Sequence, residues 1–333
     1  MGQVINKHKR SDWSFENNDH LIQRFSVLSN STLNNPLPKI FWLRDKLSEV
    51  NFTNIRHQIN RGLGFTGHYS TDNYTYNYLY YCNQLSKAFF QYSLADGQPV
   101  RIQIADKTIE TIGKFSPNDN ETGAMNVVRG IELALILRDK EALQFYPTIP
   151  FEFTEKAQHD DIIAEIMLIF FNMLAQNTAD AAAAATTFQQ IQAHFQWEEY
   201  KKYVRYTSFL NESIWRYLFG HRQEKAAFLY LPLLKIYFFI LENKQPEFEE
   251  AVYEALQQWQ QYYTKKYVEQ GEEFDRSFEP EGYWCIPVIA ACAFAHDRGM
   301  KLANIESDYL CDWMIEGRFE GFELLVKGDK KIN

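Results

Sequence analysis

The chain lacks most of what announces an enzyme, a secreted module or a membrane protein. Cysteine occurs only at Cys82, Cys285, Cys292 and Cys311, never as a close CxxC pair. That spacing writes in no disulfide framework and no zinc ribbon, and free thiols fit a reducing compartment. Positive charge is short, with 34 Lys and Arg against 43 Asp and Glu and a net charge of −9. Non-specific contact with nucleic acid or an anionic membrane is therefore disfavoured, while a basic protein partner is favoured. The longest apolar runs, 162–175 and 226–241, are broken by Glu165 and by Pro232 and Lys235. Both fall short of the roughly 20 residues needed to cross a bilayer. Lys7, Lys9 and Arg10 lead into polar residues, so no signal peptide is expected and the expected compartment is the cytoplasm. Serine-nucleophile motifs, P-loops and H-E-x-x-H are absent, and no fixed-period repeat is visible.

What is present is apolar and helical. Hydrophobic residues make up 46% and aromatics 16% of the chain, enough for a large core. Residues 283–295 are apolar at almost every position, which predicts a helix buried on all sides. Pro287 falls in its first turn, where a missing N–H costs little, and Gly299 stands where a left-handed cap prefers glycine. Ser307 reads as the N-cap of a short helix over 308–315, stopped by Gly317. Further helices are expected at 16–28, 39–50, 52–61, 71–94, 154–176 and 179–197, at 198–219 and 223–241, and from a capped start near Asn120 or Thr122 to Arg138. In the 154–176 helix the predicted stripe is Ile162, Ile166, Ile169, Phe170 and Met173. Pro246 opens a helix whose buried face is Phe248, Val252, Leu256, Trp259 and Tyr263. Strand alternation is strong only at Val100, Ile102 and Ile104 and again at 108–112, a hairpin. The expected fold is mainly α, a multi-helix bundle or array with one small β-hairpin near residues 99–113. Residues 1–15 are expected as a flexible arm and 321–333 as a tail. Residues 16–320 read as one α-helical domain, sub-divided near 115–120.

Candidate chemistry is thin. Residues 62–67, GLGFTG, match G-x-G-x-x-G, but a helical segment precedes them and Lys87 stands about where the ribose-binding acid should be; this is a loop. His159-Asp160-Asp161 with Glu165 resembles a ligand cluster, yet only Asp161 and Glu165 share a helical face. Cys285, Cys292 and His296 share a face, with Cys311 as the one available fourth ligand; small cysteines in a core explain the same spacing without metal. No catalytic, metal or cofactor site is assigned. Two features point to binding instead. Glu269, Glu272, Glu273, Asp275, Glu279 and Glu281 cluster against the single Arg276, in what reads as a polar loop. Tyrosine is dense at 74–81, with Tyr74, Tyr78 and Tyr81 on one helical face and Tyr76 and Tyr80 on another; one row packs and the other lies half exposed, or the helix presents tyrosine anchors to a partner. Glu272, Glu273, Asp275, Glu279, Tyr74 and Tyr78 are the candidate contacts.

Two motifs carry a resemblance. RGIELALILRDKEALQFYPTIP (129–150) and GYWCIPVIAACAFAHDRGM (282–300), followed by IESDYL (305–310), resemble the two signatures of the Imm49 family of bacterial polymorphic-toxin immunity proteins, in the same order and spacing, over residues 50–317. The resemblance implies a mostly α-helical toxin inhibitor of interbacterial competition, acting by stoichiometric occlusion and carrying no catalytic residues. A nucleic-acid-attacking toxin, basic around its cleft, would suit the acidic surface. The Arg138/Asp139 and Asp297/Arg298 pairs match family motifs and read as charges that cap and dock helices. The alternatives are a non-catalytic α-helical scaffold and a metal-dependent enzyme.

Overall fold

The computed structural model describes residues 3–6, 72–105, 107–115, 123–157, 162–200, 202, 212–269 and 272–324. The helices expected before residue 62, the 62–67 loop and the His159–Asp161 cluster lie outside the described residues. The architecture is mainly α, with small sheets of two strands each. In chain order the elements are β1 (Gln3–Ile5), α1 (Asp72–Leu94), β2 (Pro99–Ile104), β3 (Lys107–Ile112), α2 (Ala124–Leu137), α3 (Lys140–Phe145), α4 (Phe151–Ala157) and α5 (Ile162–Ala175). There follow α6 (Ala181–Ala193), α7 (Trp197–Tyr200), α8 (Glu212–Lys225), α9 (Leu231–Leu241) and α10 (Gln245–Tyr263). The last are β4 (Lys266–Glu269), β5 (Glu272–Asp275), α11 (Ile286–His296), β6 (Ile305–Ser307) and α12 (Asp312–Glu316). The chain divides into two compact units, one of Met1–Asn6, Ser116–Tyr262 and Cys285–Arg318, the other of Lys7–Phe115, Tyr263–Trp284 and Phe319–Asn333.

In the first unit α2 packs against both α5 and α11, and α9 packs against α6 and α11. Every residue of α11 from Val288 to Ala295 is buried, as its unbroken apolar sequence requires. Four of those eight are alanines, which let helix axes approach closely. Pro287 sits in the first turn and Gly299 takes φ +85° just past the end, as expected. Tyr237 of α9 is fully buried, its ring 5.6 Å from those of Phe170 and Phe171 and 5.7 Å from Phe294. Ahead of α9 the helix widens to a π turn over Ala226–Tyr230, the Leu231 N–H bonding the Ala226 carbonyl. Pro232 explains it: proline offers no N–H and crowds the carbonyl four residues back, so the preceding turn opens.

Arg138 ends α2 in the left-handed region (φ 55°), with the Arg138 and Asp139 N–H groups closing on the Leu135 and Ala134 carbonyls. The Asp139 carboxylate caps α3 by accepting from Ala142 N at 3.0 Å. The Arg138 guanidinium donates to Asp297 beyond α11 at 3.0 Å and to the Met314 and Ile315 carbonyls of α12 at 2.6 and 2.5 Å. A short helix leaves its last carbonyls without partners of its own, and here one planar fork meets two of them. The motif charges thus cap and dock helices, as read from the sequence.

Four expectations change. Residues 3–5 of the expected loose arm form β1, paired in parallel with β6 from Gln3↔Ile305 to Ile5↔Ser307, because Ile5 finds a buried position. Ser307 belongs to that strand, so the following helix starts only at Asp312 and ends at Gly317, whose φ of +66° suits a residue without a side chain. Of the expected 154–176 helix the described parts are α4 and α5, and the buried face is broader than the predicted stripe: Ile166 and Phe170 are buried as expected, Ile163, Ala164, Met167 and Phe171 join them, and Ile169 is 55% exposed. Within the span of the expected 198–219 helix the described elements are the short α7, a turn at Lys202 and α8, which continues past 219 to Lys225, with Trp197, Tyr200 and Phe219 packed as a satellite cluster.

In the second unit α1 packs on β2. The β2–β3 hairpin stands where expected, Ile102 and Ile104 buried between exposed Arg101 and Gln103. Ala105 takes a positive φ (51°) at its turn.

Candidate interaction surface

The acidic stretch is not a loop. Residues 266–269 and 272–275 pair as the antiparallel strands β4 and β5, with Lys266 opposite Asp275, Val268 opposite Glu273 and Glu269 opposite Glu272. Two 3₁₀ turns follow, Arg276–Phe278 and Pro280–Tyr283. Propensity misses this hairpin because Glu272 and Glu273 are poor strand formers. The surrounding anchors compensate. Arg276 is 3% exposed and lies 4.8 Å over the Tyr267 ring, a cation–π contact. The fully buried Tyr283 donates its hydroxyl to the Ser277 carbonyl at 2.7 Å. Gly282 is required where it stands, since a Cβ there would come within 2.7 Å of the Tyr263 ring.

The expected contact residues are distributed as follows. Glu272 and Glu273 lie on β5, and Glu279 is half-buried between the two 3₁₀ turns. Asp275 is engaged internally: its carboxylate accepts from Ser277 N at 2.9 Å and lies 3.6 Å from Lys266 Nζ. Burial pushes that carboxyl up, but the Ser277 hydrogen bonds and the Lys266 charge outweigh it and hold it below the ordinary range. On α1, Tyr78 and Tyr81 are 4% and 0% exposed, whereas Tyr76 and Tyr80 are partly exposed. One row packs and the other is half wet, which removes Tyr78 as a contact: a buried ring offers a partner nothing. Only the helical position of Tyr74 is described.

Burial governs the chemistry elsewhere. All four cysteines are free and buried, and desolvation pushes the Cys285 and Cys292 thiols well up, so both stay protonated and unreactive near neutrality. No group of three or more potential metal ligands occurs among the described residues. The residue that sequence reading missed is Glu132, 3% exposed inside α2. Desolvation, only partly offset by Arg129, pushes its carboxyl up to about 7. Its signal was available: it is the lone acid in the α2 run AMNVVRGIELALIL. Its charge also helps to raise the Tyr237 hydroxyl, whose main cause is burial.

The acidic cluster of the sequence thus falls on a hairpin and two 3₁₀ turns. No helix among the described residues is long and apolar enough to cross a membrane. The sequence model of a family described as immunity protein 49 matches residues 69–314. Neither the curated proteins nor the solved structures contain a match to the chain.

Proposed function

The chain belongs to the immunity protein 49 family, and from that premise we propose that it neutralises a cognate secreted bacterial toxin by stoichiometric occlusion in the cytoplasm of the producing cell and its kin. An immunity role comes with the family; the mode of inhibition and the contact surface are our reading. The observation that carries it is the fold of the acidic segment at 269 and 272–281, a strand pair and two 3₁₀ turns held by Arg276 and Tyr283, which supports a pre-organised surface for a basic partner. Pre-organisation lowers the entropy that binding must overcome, and like-signed charge on one element steers an oppositely charged cleft towards it. Glu272, Glu273 and Glu279 are the proposed contacts, with Tyr74 at the start of α1 as a further one, while Asp275 holds the segment together from within. The proposed partner is basic around its active cleft, as a nuclease toxin would be, and the chain blocks it by binding without turning over any substrate.

Mixing the purified chain with its toxin should give a one-to-one complex and abolish toxin activity. Glu272→Lys/Glu273→Lys/Glu279→Lys should slow association about tenfold at low salt and flatten its salt dependence. Failure of the unaltered proteins to associate at micromolar concentration would sink occlusion. Unchanged association of the triple variant would move the contact off this segment.

A further inference from the structure

The half-exposed face of α1 already holds a peptide. Asn73, Tyr76, Asn77 and Tyr80 follow one another at i, i+3, i+4 and i+7, which places them on one side of the helix. Against that side lies the chain's own segment after α12. Phe322 stacks on Tyr76 at 5.2 Å and 22°, Phe319 lies 5.7 Å from the same ring, and Tyr80 lies 6.3 Å from it. The segment is folded as a turn: Phe322 N donates to the Phe319 carbonyl at 3.2 Å, with Gly321 at φ +85° between them. That positive φ in the third position of a four-residue turn favours glycine.

The next residue is recognised through its backbone. Glu323 N donates to Asn73 Oδ1 at 2.9 Å, and Asn77 Nδ2 donates to the Glu323 carbonyl at 2.9 Å. Two side-chain amides thus treat Glu323 as a neighbouring strand would. Asn77 is fully buried and is held in place by a further bond to the Asn73 carbonyl at 2.8 Å. Glu320, between the two rings, is exposed, and the described contacts are made by two aromatic rings, a glycine turn and the Glu323 backbone.

We propose that this face is a binding site for an aromatic–x–Gly–aromatic turn, occupied in cis by Phe319–Glu323 and open to the same turn from a partner chain. The proposal does not rest on the toxin-binding reading, and its partner is defined by that peptide chemistry alone. Tethering gives the cis segment a high effective concentration, so an incoming peptide competes with it.

The probe is a dye-labelled synthetic peptide of residues 317–324, followed by anisotropy. The full-length Phe319→Ala/Phe322→Ala variant, its fold checked by circular dichroism, should bind the peptide saturably, and the unaltered chain about tenfold more weakly. Adding Asn73→Ala/Asn77→Ala should abolish binding. A folded variant that takes up no peptide would overturn the proposal, and so would binding that survives loss of both asparagines. If the double-alanine variant fails to fold, the unaltered chain decides. Hydrogen exchange of residues 319–324 should quicken with excess unlabelled peptide, and no change in that exchange overturns the site.

Discussion

The unit built around α2 and α11 and the unit that contains α1 both hold together segments far apart in sequence, by different chemistry. Around α2 the contacts are apolar and nearly dry, with alanines and aromatic rings closing on one another and Tyr237 among three phenylalanines. In the unit that contains α1 several described contacts are directional instead: Asn73 and Asn77 of α1 meet the Glu323 backbone, and within residues 267–283 Arg276 lies over the Tyr267 ring and the Tyr283 hydroxyl meets the Ser277 carbonyl. Apolar burial tolerates many neighbours and punishes any charge placed within it; directional contacts tolerate water and punish the loss of a single atom. Glu132 is the exception that tests the first unit, because it puts a carboxyl where the chemistry is least able to carry one.

The largest expected pH effect follows from it. A carboxyl pushed up to about 7 from an ordinary 4.5 makes the folded state bind a proton more tightly than the unfolded state. Its stability contribution is full below pH 4.5, falls as pH rises, and is lost above about 7, a swing of up to about 3 kcal/mol. Glu132→Gln should remove that swing. Urea unfolding of both proteins at pH 5 and pH 8 gives the difference, and equal pH dependence would mean that the carboxyl is not desolvated as described.

Next comes Arg138, a directional contact inside the apolar unit. Arg138→Ala leaves the Met314 and Ile315 carbonyls unmet and should cost about 2 kcal/mol. Hydrogen exchange should localise the loss to α12. Arg138→Lys should recover only part of it, since an ammonium cannot reproduce the planar fork that meets Asp297 and two carbonyls together.

The same contrast explains what the sequence made legible. The face Phe248, Val252, Leu256, Trp259 and Tyr263 of α10 is buried throughout, because a 3.6-residue period records which side meets a core. The all-apolar α11 and the β2–β3 hairpin follow from equally local patterns. The β4–β5 hairpin does not: its strands carry glutamates, and the contacts that stabilise them come from Arg276 and Tyr283, which no local window weighs. β1 is illegible for a related reason, since three residues pair with a strand some 300 positions away and local propensity cannot see such a partner. The tyrosine rows were legible as two faces, but what covers one of them is set by Phe319 and Phe322 at the far end of the chain.

Tyr237 refines the account of the dry core. Its hydroxyl is buried with no hydrogen-bond partner among the described residues. Tyr237→Phe keeps the ring among Phe170, Phe171 and Phe294 and removes the unmet oxygen, so stability should be unchanged or higher by up to about 1 kcal/mol. A clear loss in thermal denaturation would mean that the oxygen has a bonded neighbour, and that this core is less dry than its rings imply.

The smallest effect is expected at Ile169, and it locates the edge of the apolar unit. Periodicity alone puts Ile166 and Ile169 on one stripe, but α5 turns Ile166 inward at 7% exposure and leaves Ile169 outside at 55%. Ile166→Ser should cost several kcal/mol, because it deletes buried methyl groups and introduces a hydroxyl. Ile169→Ser should stay within about 0.5 kcal/mol, since its side chain gains little from folding. The two residues have the same chemistry and sit on one helix, so the difference isolates burial. Equal costs in chemical denaturation would place Ile169 against something that the fold of this unit does not supply, and would make it the first point on α5 to test for contact with another chain.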